Sequence, residues 1–259
     1  MFDRRQDPPG GIKSGPMTSP PGPERAAADR PSQSPRSAAQ SQELLAVGLA
    51  MIAGFVDAYG IITYGVYVSF MSGNTTQTGF QAAEGEFGPA AASALAILFF
   101  VGGSFAGTLL IEFAGRRPRR LLFSVVAVVL AAIIGFRQLG ALSASIHIAA
   151  AGFAMGVMNA AQSRVGAQSV SLTFVTGTLS RIGSHFALAL KRASLPDAQG
   201  PWDTHLRRAL LLSRVWAGFL AGALLSGAAT PRFGVWVLLC PVLILSVIAA
   251  FDRPAGATS

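Results

Sequence analysis

The chain has 259 residues and a formal net charge of +8, with 51% hydrophobic and only 12% charged residues and a mean hydropathy of +0.50. A soluble domain carries roughly 25% charged residues, so this balance excludes one and calls for an all-α integral membrane protein. The positive charge is nearly all arginine, clustered at the ends of apolar segments with lysine only at Lys13 and Lys191. Such clustering is a topology signal, and no nucleic-acid partner is expected.

Residues 1–40 are rich in Pro, Gly, Ser and Arg and nearly free of bulky apolar side chains. They cannot bury enough surface to offset ordering entropy, so a disordered, Pro/Arg-rich cytoplasmic tail is expected. The stretch has neither the apolar region nor the small-residue cleavage site of a secretory signal, so it is expected to stay attached.

Six apolar runs follow: Leu44 to Ile62, Ala90 to Phe113, Leu121 to Phe136, Leu142 to Gln162, Leu210 to Ala229, and Val235 to Phe251. A crossing needs about twenty residues, with roughly seventeen the lower limit, so the third and sixth runs must borrow flanking residues or tilt little. Pro241 predicts a kink in the last run unless it falls within the first helical turn.

Between the second and third runs "GRRPRR" (Gly115 to Arg120) places four arginines, and Arg164, Lys191, Arg192, Arg207 and Arg208 lie between the fourth and fifth. The connection from Thr63 to Pro89 has no Lys or Arg, only Glu84 and Glu86. Six crossings with both termini cytoplasmic put every basic cluster inside, leaving Arg137 and Arg232 as single outer exceptions. That count requires two polar interruptions, "VSFMSGNTTQTGF" (Val68 to Phe80) and "LTFVTGTLSRIG" (Leu172 to Gly183), to be broken or re-entrant rather than full crossings.

The interruptions belong to an internal repeat. "GFVDA" (Gly54 to Ala58) matches "GVMNA" (Gly156 to Ala160) at an offset of 102 residues, and "FMSG" (Phe70 to Gly73) matches "FVTG" (Phe174 to Gly177) at 104. "GSFAGTLL" (Gly103 to Leu110) matches "GFLAGALL" (Gly218 to Leu225) at 115, the increase coming from a polar insert around "KRASLPDAQGPWDTHLRR". The expected fold is therefore two inverted three-helix repeats, residues 41–136 and 137–253, because an odd number of crossings turns the second copy upside down. The binding site of such proteins lies where the repeats meet.

Ser72, Gly73, Asn74, Thr75, Thr176, Gly177 and Thr178 are the expected lining of that site. A hydroxyl can cap a starting half-helix, and two such N-termini would suit an anion or a carboxylate; tight turns with satisfied caps and no ligand are the alternative. Asp57, deep in the first run, needs a partner or a proton. It is expected to couple protons, to latch to Arg181 or Arg164, or to form a structural pair or a cap on the neighbouring broken helix, and Asn159 takes its place in the second copy. Arg181 could neutralise an anion, pair with Asp57 or snorkel to the inner face. Gly103 and Gly107, and Gly218 and Gly222, have the four-residue spacing of close helix packing.

The single Cys240 cannot form an internal disulfide and is expected to pack, and His147, His185 and His205 have no metal-ligand spacing. No cofactor, metal or enzyme activity is expected, the sequence having no nucleophile elbow, phosphate loop or paired carboxylates.

The blocks "GFVDA", "FMSGN", "NAAQSRVG" and "FVTGTLSRIG" resemble those of the YoaK family of bacterial membrane proteins, a group named as a domain of unknown function, over roughly Leu44 to Phe251. The resemblance implies a bacterial cytoplasmic-membrane setting and no particular substrate. The expected function is a small-solute transporter or channel with a pathway between the Gly73 and Gly177 segments. The alternative is a non-transporting scaffold or regulator acting through the tail and the Lys191 to Arg208 loop. The expected partners are the lipid bilayer and a small molecule or ion, and a homo-oligomer stays open because six short helices leave little room for a wide pore.

Overall fold

A computed structural model describes residues 35–113, 117–140, 143–162, 175–198 and 200–251. The expectations placed on residues 1–34, Arg116, Ser163, Arg164 and residues 172–174 lie outside the described residues. Among the described residues every regular element is helical: α1 (Pro35–Tyr64), α2 (Met71–Ala83), α3 (Phe87–Phe113), α4 (Pro118–Gln138), α5 (Ala144–Gln162), α6 (Val175–Leu190), α7 (His205–Phe233) and α8 (Leu239–Phe251). A 3-10 turn, Gly234–Leu238, joins α7 to α8.

Among the described residues five helical stretches are long and apolar enough to cross a bilayer: Gln40–Tyr64, Phe87–Phe113, Pro118–Gln138, Ala144–Ala161 and the 47 residues His205–Phe251. The last contains both the fifth and the sixth apolar runs, divided by Gly234, whose φ of +54° a residue with a Cβ rarely adopts. By contrast, α2 has 13 residues and α6 has 16. At 1.5 Å per residue they reach about 20 and 24 Å, less than the roughly 30 Å hydrocarbon layer.

Two helix pairs dominate the packing: α1 lies along α7, and α5 lies along α3. Glycine makes both approaches close. A methyl group added at Gly54 would overlap the carbonyl of Phe219, and one at Gly222 would overlap that of Met51. In the other pair, Gly103 faces the carbonyl of Phe153 and Gly156 that of Phe100 in the same way. Contacts advance together along each pair, Val47 with Gly218 then Met51 with Gly222, and Ala96 with Gly152 then Phe100 with Gly156, so each pair is parallel. The Tyr64 ring stacks on His147, centroids 6.2 Å apart, so α5 begins at the end of the bundle where α1 finishes. At the opposite end Arg207 pairs with Glu43, tying the start of α7 to the start of α1.

The core is built by Leu49, Val56 and Tyr59 of α1, Phe123 and Leu130 of α4, Met155 and Met158 of α5, and Leu245 of α8. Leu98, Val101 and Phe105 of α3 and Leu224 and Leu225 of α7 point outward, an apolar surface that only lipid can cover without cost.

Some boundaries differ from the sequence expectation. Helix α1 begins at Pro35 rather than after residue 40, because "SAAQSQ" is a competent helix former and can precede the apolar face. Helix α7 continues past Ala229 to Phe233. Pro241 falls in the first turn of α8, where its missing amide hydrogen is not needed, so it imposes no kink. Cys240 is exposed, not packed, since the start of α8 turns that face away from the core.

Adding one methyl group therefore has opposite effects at two places on α1. Gly54→Ala should cost about 1–3 kcal/mol, the range for overpacking, whereas Gly48→Ala, which meets nothing within 4 Å, should be neutral or slightly stabilising. Thermal unfolding of the detergent-purified variants checks this, and equal midpoints for the two would contradict the glycine-mediated approach.

Candidate functional site

The site is built where α1 stops. Gly65, at φ +71°, ends the helix with its amide bonded to the Ile61 carbonyl at 3.0 Å, and the chain then folds back along α1. The returning stretch is buried at Val66, Val68 and Ser69. Asp57 lies seven residues, about 10 Å, before the end of α1 at Tyr64. The loop that returns to it is irregular backbone buried against the flank of α1, where an unpaired amide is costly.

Asp57 meets that cost. Its Oδ1 accepts the amides of Val68 at 2.9 Å and Ser69 at 2.6 Å, and its Oδ2 accepts the Ser69 hydroxyl at 2.6 Å. Three donors converging on two oxygens is an arrangement a carboxylate satisfies, since both of its oxygens only accept. Asn74, the buried residue of α2, grips the preceding residue from the other side. Its Oδ1 accepts the Tyr67 amide at 3.1 Å and its Nδ2 donates to the Tyr67 carbonyl at 2.6 Å. Loop residues 67–69 are thus clamped between one side chain of α1 and one of α2.

Asp57 holds the loop that leads into the broken helix and not the helix itself: its bonds go to Val68 and Ser69, which precede the α2 N-cap at Phe70. None of these bonds goes to Arg181, which is exposed on α6. The expected local hydroxyl cap does not form: α2 starts at Met71 with Phe70 at the N-cap and no side-chain bond there. Ser72 instead sits inside the first turn and is exposed, as is Thr75, whose hydroxyl donates back to the Met71 carbonyl at 2.8 Å. The loop before α2 is instead held from a different helix, since a buried carboxylate can serve several amides at once.

In the second half, Thr176 is exposed, Gly177 and Asn159 are half-buried, and Thr178 is the buried residue of α6. Thr178 stands 104 residues after Asn74, the repeat offset, so the matching position faces inward in both short helices. The structure does not bring the two half-helices together. Helix α2 packs on α3 and α6 packs on α7, with no contact between α2 and α6. The expected pathway directly between the Gly73 and Gly177 segments therefore has no shared interface of α2 and α6 to follow: the two halves meet mainly where α1 lies along α7, α5 along α3 and α4 along α8, with a smaller contact between α1 and α5.

Two further clusters went unread in the sequence. His185 and His205 place their Nδ1 atoms 2.9 Å apart, joining α6 to the start of α7. Beside them the buried Arg208 is chelated by Asp197 at 2.9 Å and Asp203 at 2.7 Å, and the guanidinium holds the Asp197 carboxyl below the usual carboxylate range. Among the described residues no group of three His, Cys, Asp or Glu could hold a metal ion. Much of the basic character of the Lys191 to Arg208 loop is thus neutralised within the fold, Arg207 by Glu43 and Arg208 by the two aspartates.

A family model described as a protein of unknown function (DUF1275) matches residues 45–251. A UPF0700 transmembrane protein, RA0705, from Rhizobium meliloti (strain 1021) is 30% identical over 215 residues, which is 81% of this chain and 86% of that protein. No solved structure matches. The chain belongs to the DUF1275 family and is a membrane protein.

Removing the Asp57 carboxyl leaves three buried donors unmatched. Asp57→Ala should cost about 3 kcal/mol or more, at roughly 1–3 kcal/mol for each orphaned group, and Asp57→Asn, which keeps one acceptor oxygen, distinctly less. Unfolding midpoints in the order wild type, Asp57→Asn, Asp57→Ala are expected; an unchanged Asp57→Ala midpoint would show that the loop does not depend on this clamp.

Proposed function

We propose that this member of the DUF1275 family moves a small solute across the cytoplasmic membrane, with its pathway at the contact of α1 and α5. We read the YoaK resemblance and the DUF1275 match as one family. The observation that carries the reading is the buried loop of residues 65–70, held at bilayer depth by Asp57 and Asn74 ahead of a helix too short to cross. Irregular backbone at that depth is tolerated only inside protein or along a water-filled cavity, and transporters place substrate sites beside such breaks.

The helix arrangement supports six crossings in two inverted repeats. The first helix of each half lies on the third element of the other, α1 on α7 and α5 on α3, and α5 starts where α1 ends. The 18 residues from Gly234 to Phe251, partly 3-10 and partly α, rise about 29 Å, enough for a sixth crossing. With both termini cytoplasmic, the Tyr64 end is outer and the Glu43–Arg207 end inner. In this reading Asp57 and Asn74 hold the lining of one half, and Asn159 and Thr178 occupy the equivalent places in the other.

Two measurements test this. In a Cys240→Ala background, cysteines at Gly85 and Arg119 should label from opposite faces of the membrane; labelling from one face removes the inverted-repeat reading. Liposomes holding the full chain and challenged with small anions, weak acids and neutral metabolites should show flux above empty vesicles. Asn74→Ala should lower that flux at least tenfold while the protein stays folded, and a full panel without flux rejects transport.

A further inference from the structure

His147 is the group that the mechanism above leaves unused. It is 1% exposed, and neither ring nitrogen makes a hydrogen bond of good geometry, the Ser143 backbone lying beside the ring. Burying an unbonded polar group is costly, and a neutral imidazole has one donor and one acceptor to satisfy. Its surroundings are rich in donors. Tyr64 stacks on the imidazole with an interplanar angle of 13°, and the Tyr64 hydroxyl lies 3.4 Å from that of Tyr59. Two hydroxyls sharing one bond leave one hydroxyl hydrogen to spare. The Arg137 guanidinium stands 6.0 Å from the Tyr64 ring centroid, from the exposed end of α4. Asp57, the acidic side chain of this half of α1, has both oxygens committed to Val68 and Ser69.

Arg137 is also one of two residues that break the charge rule placing basic clusters at the other membrane face. Tyr64 also packs against a small buried apolar cluster of Val66, Ala96 and Ile148. Donors and neighbouring alkyl groups together select one chemistry. We propose that His147, Tyr64 and Arg137 form an outer-face binding site for a small aliphatic carboxylate. The guanidinium draws the anion in, the imidazole N–H and the spare tyrosine hydroxyl hydrogen bond its oxygens, and the short alkyl end meets Val66 and Ile148. The remaining imidazole nitrogen accepts from a water that accompanies the anion.

This rests on the transport reading for its biological direction and deepens it by naming the substrate class. Equilibrium binding tests it apart from flux. Acetate is titrated into the detergent-purified full chain, with acetamide as the uncharged isostere. Saturable acetate binding at least tenfold tighter than acetamide is expected. His147→Phe, which keeps the stack on Tyr64 and removes both nitrogens, should weaken acetate at least tenfold, and Arg137→Gln should weaken it about threefold or more. Arg232→Gln should leave it unchanged. If His147→Phe does not fold, the imidazole resonances of His147 in the wild type should shift on adding acetate. Absent binding, equal affinity for acetamide, undiminished binding by a folded His147→Phe, or unmoved His147 resonances would each overturn the site. Acetate binding without acetate flux would keep the site and reject acetate as the transported solute.

Discussion

A polar backbone group in hydrocarbon has no solvent to fall back on, and the architecture follows from how this chain meets that constraint. Helices satisfy it internally over most of the described length. Residues 65–70 do not, and their burial is sustained from outside the loop: Asp57 takes two amides and a hydroxyl, and Asn74 closes both sides of Tyr67. The carboxylate that looks out of place in an apolar helix is thus the acceptor that an interrupted neighbour requires. Its own burial is tolerable for the same reason, because three short hydrogen bonds replace the water it gave up.

The second constraint is distance. Hydrophobic burial does little to hold helices together in lipid, so packing must come from close backbone approach. Gly54, Gly103, Gly156 and Gly222 provide it, each set against a carbonyl of a facing helix. These contacts cross between the halves and not within them. Each half lends its first helix to the other, and neither buries its glycine face alone. That exchange also decides where irregular backbone can sit. The 65–70 loop reaches the flank of α1, the helix that meets α5, while α2 itself stays on the outside of α3 and its threonine hydroxyls fold back onto their own carbonyls.

Opposite ends of the bundle are treated differently. At the start of α1 and α7, arginines are balanced by Glu43, Asp197 and Asp203, and the polar insert is pinned to the helices it connects. At the Tyr64 end, aromatic rings, an unbonded imidazole and a single exposed guanidinium meet with few acceptors among them. The first end resembles a latch with its charges spent, the second a receptor for something that accepts hydrogen bonds.

Much of this was legible in the residues. Composition alone determined the membrane class, because bilayer solvation penalises charge wherever the chain crosses. Hydropathy and charge placement located the apolar runs and the two stretches too polar to cross. The repeat offset paired Asp57 with Asn159, since covalent spacing survives in the chain itself. Three-dimensional packing decided the rest. Which acceptor holds the chain ahead of α2 depended on a fold-back of loop residues 65–70: local pattern suggested a hydroxyl cap at Ser72, whereas the distant Asp57 binds Val68 and Ser69. That α2 and α6 do not touch, and that Tyr64, Arg137 and His147 do gather, are long-range facts about residues scattered over three helices. Sequence registers the chemistry and spacing of each group, but the partner that satisfies a buried polar atom is chosen only when helices meet.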